Sequence, residues 1–148
     1  MACLFLGTMV FSQNPNFHIY LCFGQSNMAG SAPAEAQDSL VDSRFRMMSA
    51  MDCTDKDRQM GNWYTATPPI SDCNAGLSPA DYFGRTLIEN LPDSITIGVI
   101  NVSVGGSRIE LFDKENYQSY IETAPDWMLG WIRNYGGNPY GRLVEMAK

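Results

Sequence analysis

Histidine is almost missing from this sequence: His18 is the only one in 148 residues. Neither a CxxC nor an HExxH spacing occurs, so the common zinc motifs are excluded. Basic residues are scarce, with 10 Lys plus Arg against 16 Asp plus Glu and a net charge of −6. A chain this short of cations has no basic surface to neutralise phosphates, which makes nucleic acid and anionic membranes poor partners and a neutral ligand a better one. No apolar run reaches the ~20 residues that a membrane-spanning helix takes. Internal repeats and low-complexity tracts are also absent. The 45% apolar and 18% charged fractions describe an ordinary globular protein, and the length suits one domain with a core of its own.

Charge is absent from the start of the chain, where the first formally charged residue is Glu35. Residues 3–11 (CLFLGTMVF) have the length of a signal-peptide apolar region and lead into Val10-Phe11-Ser12, a small-residue cleavage pattern without the usual positive flank. Residues 1–12 are therefore expected to be a residual export signal or an extra strand, and an export signal would make the protein secreted or periplasmic. Of the four cysteines, Cys22 lies in an apolar run and reads as a buried small hydrophobe. Cys53 and Cys73 lie in the polar middle of the chain and are either a disulfide of an exported protein or two free thiols.

Three stretches read as regular structure. Residues 17–23 form an apolar strand, and residues 94–102 are a β-branched run of the kind seen in parallel strands buried on both faces. Between them Ser78-Pro79-Ala80-Asp81 opens a helix, with Ser78 as N-cap, Pro79 at the first position and Asp81 at the positive end. Phe83, Leu87 and Leu91 recur at helical spacing, and Pro92 closes the helix. The order strand, helix, strand implies a parallel crossover unit. A last helix begins at Asn138-Pro139 with Tyr140, Leu143, Val144 and Ala147 as its apolar stripe. Residues 31–77 are too long for a plain loop and are expected to hold short helical turns at the rim of a site. Residues 112–137 are rich in aromatics, including Tyr117, Tyr120, Trp127, Trp131 and Tyr135. These form either a sugar-stacking wall or, as aromatics more often do, the packed face of a helix.

The chemistry gathers where the two strands end. The first runs into Gly24-Gln25-Ser26-Asn27-Met28, and Met28 in place of a glycine departs from the G-x-S-x-G elbow. A lone G-x-S is common by chance, but at the carboxyl end of a buried strand its hydroxyl is exposed and firmly supported, as a nucleophile requires. The second strand ends in Asn101-Val102-Ser103-Val104-Gly105-Gly106-Ser107, whose glycines allow a tight turn with N–H groups toward a ligand. Adjacent parallel strands would bring Ser26 and Gly106 to one sheet edge. There Ser26 could attack an acyl carbon while the Ser26 and Gly106 N–H groups hold the oxyanion.

The strand with GQSNM, the PADYFGR helix and the NVSVGGS turn resemble the sialate O-acetylesterase/acetylxylan esterase branch of the SGNH hydrolases, from about residue 17 to the end of the chain. The resemblance implies an α/β fold: a flavodoxin-like three-layer α/β/α domain with a parallel sheet. It implies removal of acetyl groups from sugar hydroxyls without metal or organic cofactor. It maps the nucleophile to Ser26 and an oxyanion glycine to Gly106, with Gln25, Asn27 and Gly105 beside the substrate. Two family features do not occur here: a later Gln-Gly-Glu-type oxyanion segment and a C-terminal Asp-x-x-His pair. At ~3.3 Å per residue, His18 would be roughly 26 Å from Ser26, too far to serve as its base. Nothing near Lys56, Lys114 or Lys148 reads as an apolar site that would lower a lysine pKa.

Residues 13–148 are thus expected to be the N-terminal portion of an esterase domain, its later strands absent and its general base missing. The partner implied is an acetylated carbohydrate, and an unfilled sheet edge would favour a homo-oligomer. The alternatives are a sugar-binding module that cleaves nothing and a structural half-domain completed by a second chain.

Overall fold

A computed structural model describes residues 13–148, so the stretch expected to be an export signal or extra strand, residues 1–12, lies outside the described residues. The chain runs through β1 (Phe17–Gly24), the single turn α1 (Ser26–Ala29), β2 (Phe45–Met48), β3 (Trp63–Thr65), α2 (Pro79–Asn90) and β4 (Thr96–Ser103), then α3 (Tyr117–Glu122), α4 (Asp126–Asn134) and α5 (Pro139–Met146). Short 3-10 turns lie at Ala36–Ser39, Thr54–Lys56 and Ile109–Phe112. The four strands make one sheet in the order β1-β4-β2-β3. Both apolar runs are strands, and they pair in parallel from Phe17 opposite Thr96 to Gly24 opposite Ser103. β2 joins the other side of β4 in parallel, and β3 closes that edge antiparallel to β2.

The α/β class follows from how β4 is buried. Ile97 and Val99 enter one apolar layer with Phe45, Met47 and Ile88, while Ile100, Val102 and Val104 enter the other with Met128, Ile132 and Leu143. Helices cover both faces of this strand, which gives the three layers. β2 and β3 were not foreseen: four and three residues are too few for a clear alternation, and Met47 packs where a β-branched residue would have announced a strand.

α2 starts as expected. The Asp81 carboxylate accepts from the Ser78 N–H at 2.8 Å, and the Ser78 hydroxyl accepts from the Ala80 N–H at 3.2 Å. Its inward face differs from the expected Phe83-Leu87-Leu91 stripe. Ala80, Gly84 and Ile88 are buried, whereas Phe83 is exposed and meets the Tyr20 ring edge-on at 5.0 Å. Gly84 decides this, because a Cβ there would lie 2.0 Å from Cε2 of the fully buried Phe45. In α5, capped by Asn138 accepting from the Gly141 N–H at 2.8 Å, Pro139 and Leu143 are buried while Val144 and Ala147 remain exposed.

Within residues 31–77, Cys53 and Cys73 are disulfide-bonded across 20 positions with Cα atoms 5.4 Å apart. Closing a loop of that length lowers the entropy of the unfolded chain, a stabilisation of roughly 3 kcal/mol in the chain-entropy account. Cys22 is a buried free thiol, and burial pushes its pKa up, so it packs as a neutral apolar group.

Candidate active site

Two chain reversals at the carboxyl ends of β1 and β4 build the site. Gly24 accepts the last rung of the parallel pairing, from the Val104 N–H at 2.9 Å. The chain then turns through Gln25 into α1, and three contacts pin that turn. The Gly30 N–H donates to the Ser26 carbonyl at 3.0 Å, the Asn101 amide donates to the Met28 carbonyl at 3.2 Å, and the Ser71 hydroxyl donates to the Ala29 carbonyl at 2.6 Å. Asn101 is fully buried, and its Oδ1 accepts from the Ser103 hydroxyl. One side chain of β4 therefore ties the serine turn to the glycine turn.

Ser26 is exposed, and its hydroxyl donates to Gln25 Oε1 at 2.7 Å. The Ser26 N–H donates to the same oxygen at 3.0 Å. Both serine donors are thus held by one carboxamide. On the neighbouring strand the Ser107 N–H donates to the Val104 carbonyl at 3.1 Å, closing a tight turn around Gly105 and Gly106. Gly106 has φ +71°, a conformation that costs a side-chain-bearing residue roughly 1–2 kcal/mol. Its N–H has no acceptor among the described residues.

Ser26 and Gly105 line one cleft of about 270 Å³, together with Asp72, Asn74, Trp131 and Tyr135. Gly106 occupies the next position of the same turn. Asn27 is exposed beside Ser26 without lining the cleft, and Gln25 is turned onto Ser26. Asp72 is the only charged residue in the lining, and its carboxylate accepts from the Asn74 N–H at 2.8 Å. Tyr135 is buried, and its hydroxyl oxygen accepts from the Ser103 N–H at 3.4 Å. Burial, with a smaller push from Asp72, raises its pKa and keeps the phenol neutral.

The indoles of Trp131 and Trp127 lie over the glycine turn. A Cβ on Gly105 would lie 2.1 Å from Trp131, and one on Gly106 would lie 2.7 Å from Trp127. The two rings meet edge-on with centroids 5.9 Å apart, yet they stay 50% and 58% exposed. The aromatic-rich region thus divides: Tyr120 and Tyr135 are core, and the tryptophans are surface.

His18, at the second position of β1 and paired with Ile97, lies at the opposite end of the strand from Ser26. Lys56 pairs with Asp55 at 2.9 Å. No group of three or more His, Cys, Asp or Glu among the described residues could hold a metal ion. Asn101, Ser71, Asp72 and Asn74 were not foreseen as parts of the site. Of these, only Asn101 had a signal in the sequence, as the start of the Asn-x-Ser strand end.

Residues 16–137 match the family described as carbohydrate esterase, sialic acid-specific acetylesterase. The chain belongs to this family. The match runs from the start of β1 through α4, so both turns of the cleft lie inside it. A solved structure of an Arabidopsis thaliana protein has a similar fold, with a TM-score of 0.53 and 19% identity, over 89% of this chain and 67% of that one. By family the chain is of carbohydrate acetylesterase type, with an acetylated carbohydrate as substrate. No helix among the described residues is long and apolar enough to cross a membrane.

Proposed function

We propose that this carbohydrate esterase chain deacetylates acetylxylan-type or sialate-type sugars by acyl transfer through Ser26. One observation supports this reading: the exposed Ser26 hydroxyl shares a cleft with the Gly105-Gly106 turn of the adjacent parallel strand, whose Gly106 N–H has no acceptor among the described residues. Ser26 Oγ attacks the acetyl carbonyl carbon, and the carbonyl π electrons move onto oxygen. The Gly106 and Ser26 N–H groups then stabilise that oxyanion. The tetrahedral intermediate collapses, the C–O bond to the sugar breaks, and the leaving oxygen takes up the proton that the Ser26 hydroxyl gave up to solvent. Water then releases acetate from acetyl-Ser26. For the Ser26 N–H to take part, the Gln25 carboxamide must give up the bonds it now makes.

Gln25 accepts the hydroxyl hydrogen but, as a neutral amide, cannot keep the proton, and His18 lies at the far end of β1. No histidine or lysine lines the cleft, and the Asp72 carboxylate holds the Asn74 N–H rather than the Ser26 hydroxyl, so on this reading no general base serves Ser26 among the described residues; such assistance is typically worth about 10²–10⁴-fold. Turnover of p-nitrophenyl acetate and acetylated xylan should be slow. Added imidazole, acting as an external base, should raise a component of the rate that Ser26→Ala abolishes. Fast Ser26-dependent turnover without imidazole would show that a base is present. A rate indifferent to Ser26→Ala would remove Ser26 as nucleophile. The Cys53–Cys73 bond supports a secreted or periplasmic location, where disulfides persist. The exposed tryptophans also favour a second reading, a module that holds sugar without cleaving it.

A further inference from the structure

Trp127 and Trp131 are anomalous as packing residues. Half or more of each side chain faces solvent, while their rings lie on the backbone of the turn read above as the oxyanion loop. Large apolar rings left exposed beside a cleft signal a ligand surface rather than core. Trp131 lines the cleft that holds Ser26, and Trp127 extends the wall outward along α4. Flat apolar faces of this size match the axial C–H faces of a pyranose ring, and indoles bring a large buriable area to such a contact.

The charge around the cleft narrows the choice of ring. Asp72 is the only carboxylate in the lining, and no lysine or arginine faces it there. Arg108, two positions beyond Gly106, is turned to the Glu110 carboxylate at 4.0 Å and the Tyr120 ring at 5.2 Å. Arg133, on the same helix as the tryptophans, does not line the cleft. A sugar carboxylate entering here would meet a like charge with no cation to offset it.

We infer that Trp127 and Trp131 form the platform for a neutral acetylated pyranoside, and that Asp72 disfavours sugars bearing a carboxylate. This deepens the esterase reading, on which it rests for the identity of the cleft. It also separates the chain's substrate from the sialic acid in its family's description.

The test is calorimetric binding of a neutral xylo-oligosaccharide and of a sialic-acid glycoside to the intact chain. The neutral sugar should bind at least about tenfold more tightly than the sialoside. Trp127→Ala should weaken neutral binding about tenfold, a loss of ~1.4 kcal/mol, while Trp127→Phe retains most of it. Asp72→Asn, which keeps an acceptor for the Asn74 N–H, should narrow the gap in affinity between the neutral sugar and the sialoside. Equal or tighter sialoside binding, neutral affinity indifferent to Trp127→Ala, or no sugar binding at all would overturn the inference. Sugar binding of the expected pattern in a chain with no Ser26-dependent turnover even with added imidazole would leave the platform standing and remove the esterase reading. The reverse result would remove the platform alone.

Discussion

Gly105 is occupied by an indole where a side chain would begin, and this gives the residue scale its clearest test. A methyl group there would lie 2.1 Å from Cζ3 of Trp131. Trp131 is half exposed, so the ring can swing outward, and Gly105→Ala should fold with a loss of no more than about 1–2 kcal/mol. Its oligosaccharide binding should nevertheless fall several-fold, because the platform has moved. Thermal melts together with calorimetry would check this, and unchanged sugar affinity would show that Trp131 does not contribute in its present position. Ser26, Gly105 and Gly106 were legible in the sequence because apolar runs end at them, and strand ends are where an α/β sheet presents chemistry. The tryptophans were not, because an aromatic on an amphipathic helix reads the same whether it faces core or solvent. Tyr120 and Tyr135 took the first course, and Trp127 and Trp131 the second. Asp72 had no sequence signal: it is brought to the cleft by a long excursion of the chain held at Cys53–Cys73.

Capping was the most legible property at the scale of elements. Ser78, Pro79 and Asp81 mark where α2 begins, and the reciprocal bonds of Ser78 and Asp81 fulfil that pattern. Its inward face was not readable, because small residues form it: Ala80 and Gly84 let the helix approach Phe45, and hydrophobicity alone points to Phe83 instead. Asp81 is fully buried, with Oδ1 unpartnered among the described residues, so desolvation raises its pKa against the bonds from Ser78 that lower it. The folded value therefore lies above the unfolded one, near ~3.9. The native state binds this proton more tightly, so the contribution to stability is present below the unfolded value and is lost as pH rises through the folded one. Asp81→Asn keeps an acceptor for the Ser78 N–H and removes the ionisation. The difference in Tm, variant minus parent, should become more positive between about pH 3.5 and pH 7, a window that spans the unfolded value. A difference that is flat or falls over that window would contradict the assignment of a raised pKa.

At the scale of the whole molecule, the parallel pairing of β1 and β4 was legible from two apolar runs separated by a capped helix. The mixed character of the sheet was not, since the antiparallel edge strand β3 has only three residues. The two edges of the sheet differ sharply. β3 offers little backbone to a neighbour, whereas β1 has eight residues with no lysine, arginine, acid or proline and no strand beyond it among those described. On the face shared with Ile100 and Val102, the second layer covers β4 and leaves Ile19, Leu21 and Phe23 between 41% and 47% exposed. Natural edge strands are blunted by charge, proline or a bulge, and β1 has no lysine, arginine, acid or proline. A second copy can pair with it about a two-fold axis, antiparallel, so that the apolar stripes of the two copies abut. Fully burying a leucine or phenylalanine is worth about 1.5–3 kcal/mol, and these side chains are already half covered, so the gain must compete with the lost freedom of two bodies. Association should therefore be weak, with a Kd between about 1 µM and 1 mM, and should appear as a concentration-dependent shift in sedimentation velocity. Leu21→Lys puts a charge at the middle of the stripe without entering the cleft, and should hold the chain monomeric at the highest concentration tested while leaving sugar binding intact. A parent chain monomeric throughout, or a Leu21→Lys variant that associates as readily, would show that this edge does not recruit a second copy.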